Sequence, residues 1–362
     1  MTTSDWVRES VRGYRRSNRR RAIYLLILVA AIAVISVFSL SISRIDISFT
    51  QALEIVWNHI TGNLPSRVED YDAWWTDQVV VNDNAPRTIA GICVGGILAI
   101  CGAVMQSVTR NPLTDPYTLG ISSAALFGVT ISIVFGISVI PGADGSVAQI
   151  ANAFLFALIP AFAIIIISSF RKSSATMMVL IGIAIMYMFN AFTTFVKFNA
   201  EAEQIHEIYE WSLGTLVNVD WSSLMTLVVT MAVLLVAMLL LSNRINVLGS
   251  GDRVATSLGE NSVRVRLLCF TMISMATAVA VCYTGTIGFV GLVAPHVARL
   301  FVGSNNKVLI PTSMVIGALM VVGADCIVRL LPQVLPVGVI TALIGSPLFL
   351  YFLYMQRRKS TW

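Results

Sequence analysis

Long apolar runs with almost no charge constrain this chain more than any other feature. A helix needs about 20 apolar residues to cross the hydrocarbon core of a bilayer, and a lipid-exposed span must satisfy its own backbone hydrogen bonds. The sequence therefore predicts an all-α polytopic membrane protein with about ten transmembrane helices. The predicted spans cover residues 22–43, 87–108, 117–138, 148–169, 175–198, 221–242, 264–284, 287–302, 308–330 and 337–355.

Composition supports this class and excludes others. Only 12% of the residues are charged, against about 25% in soluble domains. The net charge of +5 does not indicate a nucleic-acid partner, because arginines cluster at residues 8–21, just before the first apolar run. Such a juxtamembrane cluster fixes orientation and contacts membrane lipid. We therefore divide the chain into a basic cytoplasmic segment at 1–21, a single membrane domain at 22–355 and a cytoplasmic tail at 356–362.

Charge between the spans predicts the orientation. With a cytoplasmic N-terminus, the outer segments carry most of the acidic residues, and Arg87 and Arg329 are among the few basic residues placed outside. Cytoplasmic loops are enriched in Lys and Arg, so an even number of spans with both termini cytoplasmic is favoured. This is a multi-pass protein of the cell membrane. The inner segments then hold Arg110, Arg171, Lys172, Arg244, Arg253, Arg264, Arg266, Lys307, Arg357, Arg358 and Lys359.

Three of the segments between spans have patterns of their own. The outer segment 44–86 predicts a short interfacial helix over 47–60, and the outer segment 199–220 predicts a short amphipathic helix. The inner segment 249–266 is punctuated by glycine and predicts two short helices, with Asp252 as a cap and Gly259 as the end of the first. A solvated connector is the alternative interpretation of 249–266.

A polar turn separates the second and third spans, at residues 111–120. Pro112 and Pro116 each remove a backbone donor and restrict the residue before them. Asn111 and Asp115 precede these prolines, where their side chains can cap freed backbone groups. The pattern, which ends at Gly120, predicts a sharp structural corner at the cytoplasmic face.

Small residues recur every four positions in the second span, at Gly91, Gly95, Ala99 and Ala103. Such a stripe lets a neighbouring helix approach closely. We interpret it as ordinary helix packing.

The chain lacks the patterns of an enzyme. It contains no G-x-x-x-x-G-K-[ST] phosphate loop, no C-x-x-C pair and no evident acid/base set, and its histidines are far apart in sequence. We therefore expect no catalytic residues, no metal site and no cofactor in this chain, with any ATP bound by a separate partner.

Five ordered motifs carry a resemblance to a known family. They are Gly102–Gln106, Asn111–Ser123, Trp211–Leu216, Gly285–Arg299 and Leu335–Phe349. Together they resemble the permease subunits of ABC importers for iron-siderophores, haem and cobalamin, over about residues 22–355. The resemblance implies the type II ABC importer permease fold, a second copy of the chain, two ABC ATPase subunits and an extracytoplasmic substrate-binding protein.

The resemblance also implies roles for individual residues. In the family, a loop similar to 249–266 docks into the ATPase, which implies coupling roles for Asp252, Arg253, Ala255, Leu258 and Gly259. Outer arginines of the family meet acidic groups of the binding protein, which implies docking by Arg87 and Arg329. An intrachain pair with Asp325 is the alternative for Arg329. The chain departs from the family at Asn84, where relatives often carry another arginine.

The fifth and tenth spans line the pathway in the family. The implied pathway residues are Met178, Ile185, Asn190, Thr341 and Ser346. The implied structural signature adds Pro295, His296, Arg299, Pro336 and Gly338 to the residues of the polar turn.

We therefore expect an importer permease that moves a metal chelate by alternating access. An ion-coupled secondary transporter is the alternative, and it would need ionisable residues at mid-membrane. Nearly all charges here fall near the ends of the predicted spans. A membrane enzyme is disfavoured by the missing acid/base or metal set. The sequence does not choose among siderophore, haem and cobalamin.

Overall fold

A computed structural model describes residues 3–43, 45, 47–63, 65, 70–170, 174–333 and 335–358. The described part is helical, with a π-helical turn at Val79–Asn84 and a 3-10 turn at Pro116–Leu119. The helices are α1 (Thr3–Ser41), α2 (Phe49–Thr61), α3 (Tyr71–Gln78), α4 (Ala85–Thr109), α5 (Ile121–Phe135), α6 (Gly145–Phe170), α7 (Ala175–Lys197), α8 (Ala202–Leu213), α9 (Trp221–Gly249), α10 (Asp252–Ser257), α11 (Ser262–Thr284), α12 (Val290–Val302), α13 (Asn306–Leu330) and α14 (Val337–Arg358).

The predicted all-α polytopic fold with about ten spans is confirmed. Seven segments in the described part are long and apolar enough to cross a membrane, by length and composition. Three shorter apolar helices, at 121–135, 290–302 and 337–352, account for the others. The two short helices predicted in the outer segments are also present, as α2 and α8.

Hydrogen bonds between distant residues define the two ends of the bundle. At one end, Ser107 of α4 meets Asn306 of α13, and α10 lies nearby. We call this end the α10 face. At the other end, Trp221 of α9 donates to the carbonyl of Val81, and the end of α1 meets the start of α4 through Ser39 and Thr88. We call it the opposite face.

Several predicted boundaries differ from the structure near the ends of α1 and α4. The first span has no break at residue 21, because α1 runs without interruption from Thr3 to Ser41. The second span begins earlier than predicted, because α3, the π-helical turn and α4 form one continuous helical rod from Tyr71 to Thr109. Pro86 lies inside this rod, just after the π-helical turn, and supplies no N–H; the carbonyl of Val81, five residues earlier, accepts from the indole of Trp221 instead.

Other predicted spans differ in length. The third is only α5, since Gly136 adopts a left-handed conformation (φ 64°) and ends the helix. The sixth is longer than predicted, because α9 continues to Gly249. The predicted second short helix of the 249–266 segment is instead the first turn of α11.

The core is centred on α4, which is buried along most of its length. Gly95 lies directly against α13, where a Cβ would stand 2.3 Å from the carbonyl oxygen of Gly317. Gly102, which is outside the stripe, lies closer still to α12, where a Cβ would meet the carbonyl oxygen of Gly291. The small-residue stripe therefore acts as predicted, in helix packing.

Candidate transport and coupling sites

The polar turn 111–120 forms a hydrogen-bonded corner at the α10 face. The side-chain oxygen of Asn111 accepts from the backbone N–H of Leu113 at 3.0 Å, and Asp115 accepts from that of Thr118 at 3.0 Å. The carboxylate of Asp115 thus caps the 3-10 turn, as the sequence predicted. Gly120 ends that turn in a left-handed conformation (φ 85°).

Burial affects the ionisation of this cap. Desolvation raises the pKa of Asp115 from its ordinary 3.8 to about 6, although the backbone N–H groups that it accepts from lower it. The folded protein therefore holds a proton on Asp115 more tightly than the unfolded chain does.

The short helix α10 presents two different faces. Val254 and Leu258, spaced by one helical turn, are exposed and make a small apolar patch, beside exposed Arg253. Ala255 is fully buried against its own chain, so it is not a contact residue of this patch, although the family resemblance implied a coupling role for it together with Leu258. Gly259 (φ 81°) follows the helix and terminates it, as predicted.

Asp252 does not cap α10 as predicted. Gly251 occupies the cap position, and the Asp252 carboxylate points instead to two arginines. Arg266 contacts both of its oxygens, through Nη1 at 3.2 Å and through Nη2, and Arg110 lies 3.6 Å away. The hydrogen bonds from Arg266 lower the pKa of Asp252, and the charges of Arg266 and Arg110 lower it further.

The remaining motif residues of the α10 face pack inward. His296 is buried in α12, where its Nδ1 lies 2.9 Å from the carbonyl oxygen of Leu292 and its ring packs edge-on against Phe349. Arg299 donates to the side-chain oxygen of Gln106 at 2.5 Å, and the Gln106 amide donates to the Leu292 carbonyl at 3.2 Å. These contacts fasten α12 to α4. Pro295 lies inside the same helix.

Three chain segments meet where α8, α11 and α14 come together, at residues 212–216, 284–289 and 335–338, and their non-helical parts are 214–216, 285–289 and 335–336. We call them the break cluster. Thr215 donates its backbone N–H to the carbonyl of Thr284 at 2.7 Å, and Gly338 donates to that of Gly214 at 3.2 Å. Gly338 has to be glycine, because a Cβ there would lie 2.0 Å from the carbonyl oxygen of Leu213.

The break cluster can exist in a membrane protein because its backbone groups find partners within the protein. Non-helical backbone at membrane depth is tolerated only where it is buried in protein or lines a cavity. A pocket of about 290 Å³ opens beside the cluster and is lined by Glu207, Glu210, Thr215, Thr284 and Pro336, among others. The predicted signature residues Pro336 and Gly338 thus lie at the start of α14, within the break cluster.

Arg87 and Arg329 share one carboxylate at the opposite face. Asp325, 1% exposed, accepts from Nε of Arg87 at 2.6 Å and from Nε of Arg329 at 2.8 Å. Arg329 also donates to the carbonyl of Ser39 and to the side-chain oxygen of Asn84. The intrachain pair of Arg329 with Asp325 is therefore present, and Asn84 accepts a hydrogen bond from Arg329.

The five predicted pathway residues differ in how deeply they are buried. Met178 and Thr341 are buried within their own chain, and the hydroxyl of Thr341 donates to the carbonyl of Gly338. These two side chains therefore do not face an open path, in contrast to the prediction. The rotation of a helix about its axis decides which side chains face a path, and a single sequence does not fix that rotation. Ile185 and Ser346 are half-buried and Asn190 is exposed, so these three stay as candidates.

Sequence reasoning assigned no linking role to Arg266 or Tyr117, which connect the α10 face to α4 and to the break cluster. Arg266 is fully buried and donates to the carbonyl of Val108, and the hydroxyl of Tyr117 contacts the backbone of Ile287. For Arg266, the available signal in the sequence was a charged residue at the edge of an apolar run. In the described part of the chain, no three His, Cys, Asp or Glu side chains are grouped as a metal site.

Comparison with known proteins agrees with this architecture. The family model of the FecCD transport family matches residues 28–355. The chain is 37% identical to the cobalamin import permease BtuC of Halobacterium salinarum, over 77% of this chain and 74% of that protein. It is 32% identical to the hemin transport permease HmuU of Yersinia pestis, over 93% and 96%.

A solved structure shares this fold over most of the chain. It is an inward-facing conformation of a transporter assigned to the metal-chelate type of ABC transporter, with a TM-score of 0.79 and 28% identity over 92% of this chain and 99% of that one. The chain therefore belongs to the FecCD transport family of ABC importer permeases.

Proposed function

We propose that two copies of this chain enclose a central pathway through which a metal chelate is imported by alternating access. Two ABC ATPase subunits bind the α10 face and hold the ATP, and an extracytoplasmic binding protein delivers substrate to the opposite face. Similarity to cobalamin and hemin permeases supports a metal chelate of the cobalamin or haem class, and the resemblance to the wider family adds iron-siderophores.

The observation that carries this proposal is the exposed patch of α10. Leu258 is 64% exposed and Val254 is 44% exposed on a helix whose other face is anchored by buried Ala255. The helix α10 is six residues long, lies beyond the end of α9 and is anchored by its buried face. Its exposed apolar patch therefore has no packing role within its own chain. It fits a partner that binds at that end, which is the position of the ATPase in an ABC importer.

Charge distribution supports the orientation. Arg244, Arg253 and Arg264 lie at the α10 face, whereas α8 at the opposite face carries exposed acidic residues. Basic residues mark the cytoplasmic side. We therefore infer that the α10 face and both termini are cytoplasmic, and that the chain resides in the cell membrane.

Substrate delivery involves the opposite face. Arg329 is enclosed by Asp325, Ser39 and Asn84, with a side chain only 6% exposed. Arg87 is more exposed, at 15%, and both arginines line a pocket of about 300 Å³. Of the two predicted docking residues, Arg87 is thus the better candidate for contact with an acidic group of the binding protein, and Arg329 holds the surface in shape.

Alternating access requires a part of the pathway that can open and close. The break cluster suits this role because its segments are joined by a few hydrogen bonds rather than by continuous helix. Half-buried Ile185 and Ser346, together with exposed Asn190, are the candidates for contact with the passing chelate.

Co-purification tests the proposal. The chain alone should hydrolyse no ATP, because its sequence contains no phosphate loop. Co-expressed with the ATPase of the same transport system, it should purify as a complex with two copies of each subunit, measured by mass photometry. A stable chain that never retains the ATPase would contradict the proposed role of α10.

A further inference from the structure

Arg266 is a buried arginine that connects three helices at the α10 face. It belongs to α11, its Nε donates to the carbonyl of Val108 in α4 at 3.0 Å, and its guanidinium contacts both carboxylate oxygens of Asp252 in α10. Its side chain is about 1% exposed. A planar guanidinium holding two groups at once fixes their geometry.

The last turn of α4 leads directly into the rigid corner. Val108 contributes one of the last four carbonyls of α4, which lack helical partners, and Arg266 satisfies it. Thr109 is then hydrogen-bonded to Thr114 at 2.8 Å, and Asp115 caps the 3-10 turn. Displacing α10 while these bonds persist must displace the corner as well, because hydrogen bonds tolerate only a few tenths of an ångström of stretch.

Tyr117 carries the connection from the corner to the break cluster. Its hydroxyl donates to the carbonyl of Ile287 and accepts from the N–H of the same residue, each at 3.2 Å. Ile287 is fully buried in the non-helical segment between α11 and α12. Loss of the hydroxyl would remove the hydrogen-bond partner that the N–H and the C=O of buried Ile287 share.

We propose that Arg266 and Tyr117 are positioning residues that transmit motion of α10 through the corner to the break cluster. The inference rests on the proposed function and adds the residues that couple the ATPase to the pathway. The contacts form one continuous set, from Asp252 through Arg266, Val108 and the corner to Tyr117 and Ile287. A coupling energy measured between Arg266 and Tyr117 would show directly that the two residues act together.

The experiment uses the complete transporter in proteoliposomes, with its ATPase and its binding protein. It compares Tyr117→Phe, Arg266→Lys and the double variant with two matched controls. Tyr24→Phe removes the hydroxyl of an exposed tyrosine of α1, and Arg20→Lys changes an exposed arginine of the same helix while keeping its charge. The measured quantity is ATP hydrolysed per substrate transported, with assembly and melting temperature recorded for each variant.

We expect Tyr117→Phe and Arg266→Lys each to raise the ATP consumed per substrate by at least about fivefold, the lower end of typical coupling between sites. Assembled variants should still hydrolyse ATP, and the double variant should resemble the more severe single one, since both interrupt the same connection. Both controls should keep the wild-type ratio.

Two results would overturn the inference. One is an unchanged ratio in assembled Tyr117→Phe and Arg266→Lys. The other is a parallel fall of hydrolysis and transport that follows melting temperature, which indicates packing alone. If the wild-type complex itself shows no ATP-dependent uptake, the proposed function fails, and the inference fails with it.

Discussion

Replacing Asp325 by Asn should destabilise the protein severely. The carboxylate is 1% exposed and lies within 2.8 Å of the Nε atoms of both Arg87 and Arg329. Two unit charges about 4 Å apart interact by about 4 kcal/mol at an effective dielectric constant of about 20. Asn keeps the shape but removes the charge, which leaves two largely buried guanidinium groups. Removing one partner of a buried ion pair costs about 3–5 kcal/mol, and that is the loss in unfolding free energy that we expect.

The assay is reversible unfolding in mixed micelles, followed by helical circular dichroism as the denaturing detergent fraction rises. Asp144→Asn is the matched control, because Asp144 is an exposed carboxylate on the loop between α5 and α6. Its change should stay within about 0.5 kcal/mol. An Asp325→Asn protein within about 1 kcal/mol of wild type would refute the reasoning that this shared carboxylate holds the opposite face together.

Three further predictions concern the α10 face and the core. Leu258→Asp places a charge in the exposed patch of α10 and should reduce ATPase co-purification at least tenfold; retained assembly and transport would count against the patch. Asp115→Asn keeps an oxygen for Thr118 but cannot titrate. Because burial raises the pKa of Asp115 in the folded protein to about 6, the wild type should lose stability relative to Asp115→Asn as pH rises from about 4 to 6. A difference in melting temperature between the two proteins that stays constant across this pH range would contradict the shift. Gly102→Ala puts a Cβ 1.7 Å from the carbonyl oxygen of Gly291 and should lower the unfolding free energy in the micelle assay by about 1–3 kcal/mol or more. Gly323→Ala is the control, because its Cβ would have open space around it, and it should not lower that free energy. Equal stabilities of the two variants would refute the close approach of α4 and α12.

The sequence was sufficient to predict the helical class, the approximate number of spans and the caps of the polar corner. These features depend on local signals, namely the length of apolar runs and the placement of proline, Asn and Asp. Asp115 and Gly259 act at the positions where turn chemistry predicted them. The outer segment was less predictable, because α3 and the π-helical turn continue into α4 through polar sequence with no apolar run to reveal it.

Contacts between distant segments could not be predicted from one sequence. Arg266 and Val108 are 158 positions apart, and Arg87 and Asp325 are 238 apart. The rotation of each helix is equally non-local, which is why Met178 and Thr341 were expected in the pathway but are enclosed by their own chain. The predicted capping role of Asp252 was wrong as well, since Gly251 occupies the cap position and the Asp252 carboxylate pairs with Arg266 and Arg110.

Uptake by the reconstituted transporter tests the central claim most directly. Proteoliposomes containing this chain and its ATPase should accumulate the labelled metal chelate only when ATP is present on the α10 side and the binding protein is present on the other. Cobalamin, haem and ferric siderophores are the substrates to compare, each with the binding protein of the same transport system. Uptake driven by a proton gradient, without ATP or the ATPase, would contradict the account and favour an ion-coupled secondary transporter.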